Sequence, residues 1–235
     1  LTLTTTGNGG CIAVTDQVLL SFTPAPVVSA GAAVSVCANN VQVALGGSVV
    51  GATGGAWSGG TGSFNPNATT LNATYTPSAA EIAAGTVTLT LTSTGNGNCT
   101  AVSSSKVITI TPAPTVDAGP NATVCANNSA ITLAGAITVA TGATWSGGTG
   151  TYAPNNTTLN AVYTPSAAER TAGTVTLTLT TVGNGNCNAV SDQVTFTITP
   201  APTANAGVDR TVCANNAVVT LNGSFTFATG GVWSG

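Results

Sequence analysis

The chain has 235 residues, of which 43% are hydrophobic and only 4% charged, with no His, six Cys and a net charge of −3. So few charges, acidic on balance, leave no footprint for nucleic acid or for an anionic membrane surface. Without His and with six scattered carboxylates, no nucleophile–base pair can be assembled, so neither an enzyme nor a cofactor-dependent site is expected. No apolar run approaches the ~18 residues that cross a bilayer, so this segment is not expected to insert in a membrane.

From Leu1 the chain alternates Leu with Thr and then reads Gly7-Asn8-Gly9-Gly10-Cys11. Alternation puts the leucines on one face and the hydroxyls on the other, the pattern of a half-buried strand. The motif returns from Leu89 to Cys99 and from Leu177 to Cys187, both 88 residues apart. Asn96-Gly97 is suited to the positive φ angles of a tight hairpin turn. Cys37, Cys125 and Cys213 each open Cys-Ala-Asn-Asn, and Trp57, Trp145 and Trp233 each precede Ser-Gly, at the same spacing. A period of 88 exceeds the ~20–50 residues of solenoid repeats and suits a string of small all-β domains.

Pro24-Ala25-Pro26, Pro112-Ala113-Pro114 and Pro200-Ala201-Pro202 recur in step, and Pro ends strand pairing and stiffens a short linker. They divide the chain into the last two strands (F and G) of an incomplete domain at 1–23, whole domains at 27–111 and 115–199, and the first three strands (A to C) of another at 203–235. The segment reads as a window on a continuous array.

Within 115–199 the pattern predicts about seven strands. Strand A covers Val116 to Val124, broken at Ala118-Gly119-Pro120, and strand B covers Ala130 to Ala134. Strand C carries Trp145. The Gly-rich stretch Gly147-Gly148-Thr149-Gly150 leads to a short strand near Tyr152, and strand E runs from Leu159 to Thr164. Ser166 with Glu169 is a capping box, so a single helical turn closed at Gly173 should follow. Strand F covers Thr174 to Thr180, and strand G covers Val194 to Thr199. This count of strands around one Trp is that of an immunoglobulin-type β-sandwich. Trp57, Trp145 and Trp233 are therefore expected in cores.

Cys11, Cys37, Cys99, Cys125, Cys187 and Cys213 include no close C-x-x-C pair, so a zinc site is not expected. An even number at fixed spacing points to disulfides and an oxidising, extracellular location. A structural calcium site is not expected either, because Asp117 is Ser29 in one repeat and Asn205 in another, and calcium needs several carboxylates. Lys106 is Val18 and Val194 elsewhere, which excludes a repeated Lys-dependent crosslink.

Two pieces resemble the PKD-type branch of these sandwiches. One is Asn205-Ala-Gly-Val-Asp-Arg-Thr-Val212 followed by Val219-Thr-Leu-Asn-Gly-Ser224. The other is the Thr-Val-Thr-Leu-Thr-Leu-Thr strand followed by Gly-Asn-Gly-Asn. With Cys at the A–B and F–G turns, the whole chain resembles the tandem repeats of giant bacterial surface adhesins, including gliding-motility adhesins of the Bacteroidetes. The resemblance implies a long extracellular fibre attached to or shed from the cell surface, and it carries over no catalytic residue. Neither Cys lies within strand B or F, so the core disulfide of antibody domains is not expected.

Two cysteine pairings stay open. Alternating strand directions put the A–B turn at the end of a domain facing the next one and the F–G turn at the other end. A strand of ~7 residues separates these ends by more than ~20 Å, and a disulfide needs Cα atoms within ~7 Å. That argument favours Cys37–Cys187 across a junction. Pairing within domains, Cys37–Cys99 and Cys125–Cys187, is the alternative if strand A is shorter or differently routed.

The outward positions are Thr, Ser, Asn and Gly, a neutral surface without the charges that usually keep β proteins apart. The expected partners are other copies of the chain or adjacent repeats, with surface glycans possible. The function expected is that of a structural repeat segment in an adhesin shaft or surface filament. The alternative is a carbohydrate-binding module gripping through the Gly-rich loops at Gly59 to Gly62 and Gly147 to Gly150.

Overall fold

Strict alternation of Thr with Val and Leu produces the longest strands, and their apolar faces set where the cores lie. The computed structural model describes residues 1–235 and divides into two units, Leu1–Thr111 and Pro112–Gly235.

The first unit opens with the hairpin β1 (Thr2–Thr4) and β2 (Thr15–Gln17). There follow β3 (Val27–Ser29), β4 (Val34–Cys37), β5 (Val43–Ala44), β6 (Ser48–Val50), β7 (Gly54–Ser58), β8 (Ser63–Asn65) and β9 (Thr74–Thr76). The helical turn α1 (Ala79–Ala84) leads to β10 (Thr86–Thr94) and β11 (Ser103–Thr111). One sheet has the order β4-β11-β10-β7, with β4 parallel to β11 and the other pairs antiparallel. Facing it are β5-β9-β8 and the pair β3-β6. In strand letters these are A′GFC against ABED, the immunoglobulin-type arrangement.

The second unit repeats this with β12 (Thr115–Asp117), β13 (Ala122–Cys125), β14 (Ile131–Thr132), β15 (Ala136–Thr138), β16 (Gly142–Ser146), β17 (Thr151–Ala153), β18 (Val162–Thr164), α2 (Ala167–Ala172), β19 (Thr174–Val182) and β20 (Ser191–Thr199). Its sheets are β13-β20-β19-β16, β14-β18-β17 and β12-β15. Residues 203–235 contribute β21 (Thr203–Asn205) paired with β22 (Ser224–Thr226). The chain is thus an all-β tandem of immunoglobulin-like sandwiches.

Each sandwich closes on one indole. Trp145 is fully buried with Tyr163, Leu177, Leu179 and Val194, and Trp57 is buried with Tyr75, Leu45, Leu89 and Leu91. The Trp145 Nε1–H donates to Leu159 O at 3.1 Å, and the Trp57 Nε1–H to Leu71 O at 3.1 Å, which satisfies the polar edge of each buried ring. Trp233 is 54% exposed, unlike its two equivalents.

Beyond the predicted strand B, represented by β14, a second piece, β15, follows after Gly135, which packs under the indole: a Cβ there would stand 2.8 Å from Leu179 Cδ2 and 3.0 Å from Trp145 Cζ2. Two local expectations need correction. Strand E begins only at Val162, since the backbone before it is turned, with Ala161 N–H donating to Thr158 O. The F–G connection is a loop over 95–102 rather than a two-residue turn. Its positive φ angles fall on Gly95 and Gly97, not on Asn96. Asn96 instead bridges the loop, with Nδ2 donating to Ser93 O at 3.3 Å, while Ser93 Oγ accepts Val102 N–H at 3.0 Å.

Candidate functional site

Each sandwich carries one cysteine at each end, and the strand registers fix which end. In the first unit Cys37 closes β4 and is level with Thr111, the last residue of β11. The Ala38 N–H donates to Thr111 O at 2.9 Å, and Thr111 Oγ1 donates to Val36 O at 3.1 Å. In the second unit Cys125 is level with Thr199, and its Sγ lies 3.9 Å from Pro200 O. The Cys-Ala-Asn-Asn turn therefore sits where the chain leaves the domain.

The other cysteine sits where the chain enters. Cys99 Sγ lies 3.6 Å from Thr23 Oγ1 and 3.7 Å from Pro24 O. Cys187 Sγ lies 3.5 Å from Pro112 O. Beside Cys99 is a cleft of about 490 Å³ walled by Pro24, Thr53, Gly95 and Asn96. Cys37 and Cys187 are disulfide-bonded. Cys11, Cys99, Cys125 and Cys213 carry free thiols.

The break in strand A has its own chemistry. Asp117 Oδ1 accepts Gly119 N–H at 2.8 Å, Asn205 Oδ1 accepts Gly207 N–H at 2.8 Å, and Ser29 Oγ accepts Gly31 N–H at 3.2 Å. Ser, Asp and Asn interchange here because the turn needs a side-chain oxygen, not a charge. A second acceptor ties the break to the last strand. Ala118 N–H donates to Asp192 Oδ2 at 2.8 Å, and Ala30 N–H donates to Ser104 Oγ at 3.2 Å. The backbone bonds from Ala118 and Gln193 hold the half-buried Asp192 carboxyl below its usual range. No group of three metal-ligating side chains comes together.

The Gly-rich loops are committed internally. Glu169 Oε1 accepts Thr149 N–H at 2.6 Å, Oε2 accepts Ser166 N–H at 2.7 Å, and the Tyr163 hydroxyl donates to the carboxylate at 2.8 Å. That hydroxyl also accepts Gly150 N–H at 2.8 Å. Glu81, Thr61, Ser78, Tyr75 and Gly62 repeat the same set. Burial pushes each carboxyl up, but the Ser and Thr N–H bonds and the Tyr hydroxyl outweigh it and hold Glu81 and Glu169 below the usual carboxylate range. Burial, then the bond to Glu81, raises the Tyr75 hydroxyl to about 12, and Tyr163 is raised likewise. The capping box predicted at Ser166 is formed, and Gly173 ends the turn at φ 79°. The sequence signalled that box but gave no sign that the same Glu anchors the Gly-rich loop and a buried Tyr. The Thr149 and Gly150 N–H groups of the loop are thus engaged within the sandwich.

The outer face of β19 and β20 is a ladder of hydroxyls. Thr174 pairs with Thr197, Thr176 with Thr195 and Thr180 with Ser191 in the register. Thr176 Oγ1 and Thr195 Oγ1 are 2.9 Å apart, as Thr90 Oγ1 and Ser105 Oγ are at 3.0 Å in the first unit.

No protein-family model matches the sequence. No curated protein matches it. Among solved structures it is similar to the Sidekick-1 immunoglobulin domains 1–5, at 14% identity and a TM-score of 0.42, over 80% of this chain and 42% of that one. It is also similar to Drosophila N-cadherin EC1-4, at 11% identity and 0.40, over 75% and 50%. Titin domains I67–I69 match at 10% identity and 0.43, over 76% and 67%. The chain spans about half the length of the first two. No helix is long and apolar enough to cross a membrane.

Proposed function

We propose that this chain is a load-bearing segment of an extracellular tandem array, the shaft of a surface adhesin or filament, with consecutive domains stapled through Cys37 and Cys187. The domain boundaries at the Pro-Ala-Pro triplets belong to the same proposal. The observation that carries it is the placement of the cysteines on the linkers. Cys37 is level with Thr111 and Cys187 lies against Pro112, two residues joined by one peptide bond.

Both cysteines are disulfide-bonded while the other four are not. Near-absence of charge on the hydroxyl face removes the usual repulsion between copies, which supports lateral association of shafts as the route from thread to filament. The bacterial adhesin assignment rests on the repeat and cysteine pattern of the sequence.

Peptide mapping of the non-reduced chain tests this directly. A Cys37–Cys187 peptide is the expected product, and a Cys37–Cys99 peptide in its place would sink the junction staple. Electron microscopy of native material tests the array: beaded threads or ordered fibres are expected, and dispersed single particles would refute it.

A further inference from the structure

We propose that tension along the array passes through the first and last strands of each domain alone, leaving everything between them folded and unloaded. This rests on the Cys37–Cys187 pairing proposed above.

In each unit the strand that ends at the Cys-Ala-Asn-Asn turn runs parallel to the last strand, and they are neighbours in one sheet: β4 beside β11, β13 beside β20. The chain enters the second sandwich after Pro112 and reaches the far end at Cys125, level with Thr199. A second covalent route enters at Cys187, beside Pro112, and reaches the same far end along β20. Across this junction the Thr111–Pro112 linker continues one route and the proposed Cys37–Cys187 disulfide the other, so load crosses on two rails. The segment from β14 to β19 hangs between them and belongs to neither.

A strand already rises about 3.3 Å per residue, against at most about 3.6 Å when pulled straight. A loaded rail therefore lengthens by less than about a tenth, and it need not leave its sheet to do so. Of the core side chains, Trp145, Tyr163, Leu177 and Leu179 stand on β16, β18 and β19, off both rails, while Val194, Phe196 and Ile198 reach the core from β20 and keep their places as long as that rail stays in its sheet. Tension does little work on the packing that holds the sandwich together.

The test holds the full chain by Leu1 and Gly235 under constant load in optical tweezers and then adds a dithiol. Exchange moves two electrons and two protons from the dithiol to the protein disulfide, leaving two protein thiols and an oxidised reductant. Before reduction the taut chain omits residues 38–186 and is about 500 Å shorter than the fully extended polypeptide. After reduction we expect two separate steps of about 250 Å each, as residues 38–111 and 112–186 unfold in turn. A single jump of about 500 Å at cleavage would show that both sandwiches had melted under load, and it overturns the proposal. Full extension before the dithiol, with no Cys37–Cys187 peptide in a map of the same sample, would instead refute the pairing itself. The Cys37→Ser chain calibrates the measurement, since it should unfold in domain steps without reductant.

Discussion

Replacing Glu169 by Gln separates the charge of the buried corner from its shape. The carboxylate receives Thr149 N–H at 2.6 Å, Ser166 N–H at 2.7 Å and the Tyr163 hydroxyl at 2.8 Å. A glutamine carbonyl can keep the Thr149 and Tyr163 donors, but its NH2 then faces Ser166 N–H, donor against donor. One charge-assisted bond is lost and one largely buried donor is left unpaired, a loss of about 2–3 kcal/mol. For a domain of this size that lowers the melting temperature by roughly 10–20 °C. Calorimetry of the full chain should show the transition of the second sandwich moving down, and Glu81→Gln should do the same to the first. The pH dependence carries a sign. The folded carboxyl sits below its ordinary value of ~4.3, so its stabilisation is present above that value and is lost as pH falls through the folded pKa. Glu169→Gln should flatten that acid limb for its own domain. A variant that melts within about 0.5 kcal/mol of the parent, with an unchanged acid limb, would refute the assignment of the corner as a charge-dependent lock.

Trp145→Ala should destabilise its domain by about 3–5 kcal/mol, whereas Trp233→Ala, at an exposed position, should stay within about 0.5 kcal/mol in urea titrations of this chain. Val139 holds a φ of 66° where the preceding repeat has Gly51 at 79°. Val139→Gly should therefore raise stability by about 1 kcal/mol, and a loss of stability would show that the Val packs usefully. Cys37→Ser should raise the four thiols titratable under native conditions to five, by releasing Cys187; a count of four would mean that Cys187 has another partner. Asp117→Asn should leave the melting temperature within error, with or without a calcium chelator, because Asn205 makes the same bond to Gly207; a chelator-sensitive shift would contradict that role.

The pieces legible in the sequence were those with local causes. Alternation of Thr with apolar residues gave β10, β19 and β20, whose inward residues Leu89, Leu91, Leu177, Leu179 and Val194 are fully buried. Ser166 and Glu169 gave the capped turn, because a cap is a contact between residues three apart. The 88-residue period marked the chain as a tandem of like sandwiches. The length of the F–G loop was not legible, since Asn-Gly fits a two-residue turn and a longer loop equally well. What held the longer loop was Ser93 binding Val102 and Asn96 binding Ser93, side-chain choices made outside the dipeptide.

By itself, then, the sequence determined the strand periodicity, the repeat and the near-absence of titratable chemistry. Tertiary structure decided which strands are neighbours, above all that the strand ending at Cys37 or Cys125 runs parallel to the last strand of its domain. It also turned Glu81 and Glu169 from helix caps into the anchors of a buried tyrosine and a glycine loop. The reason is distance along the chain. Cys37 meets the level of Thr111, and Glu169 meets Thr149, only after the sandwich has closed, and no local pattern records a contact that closure creates.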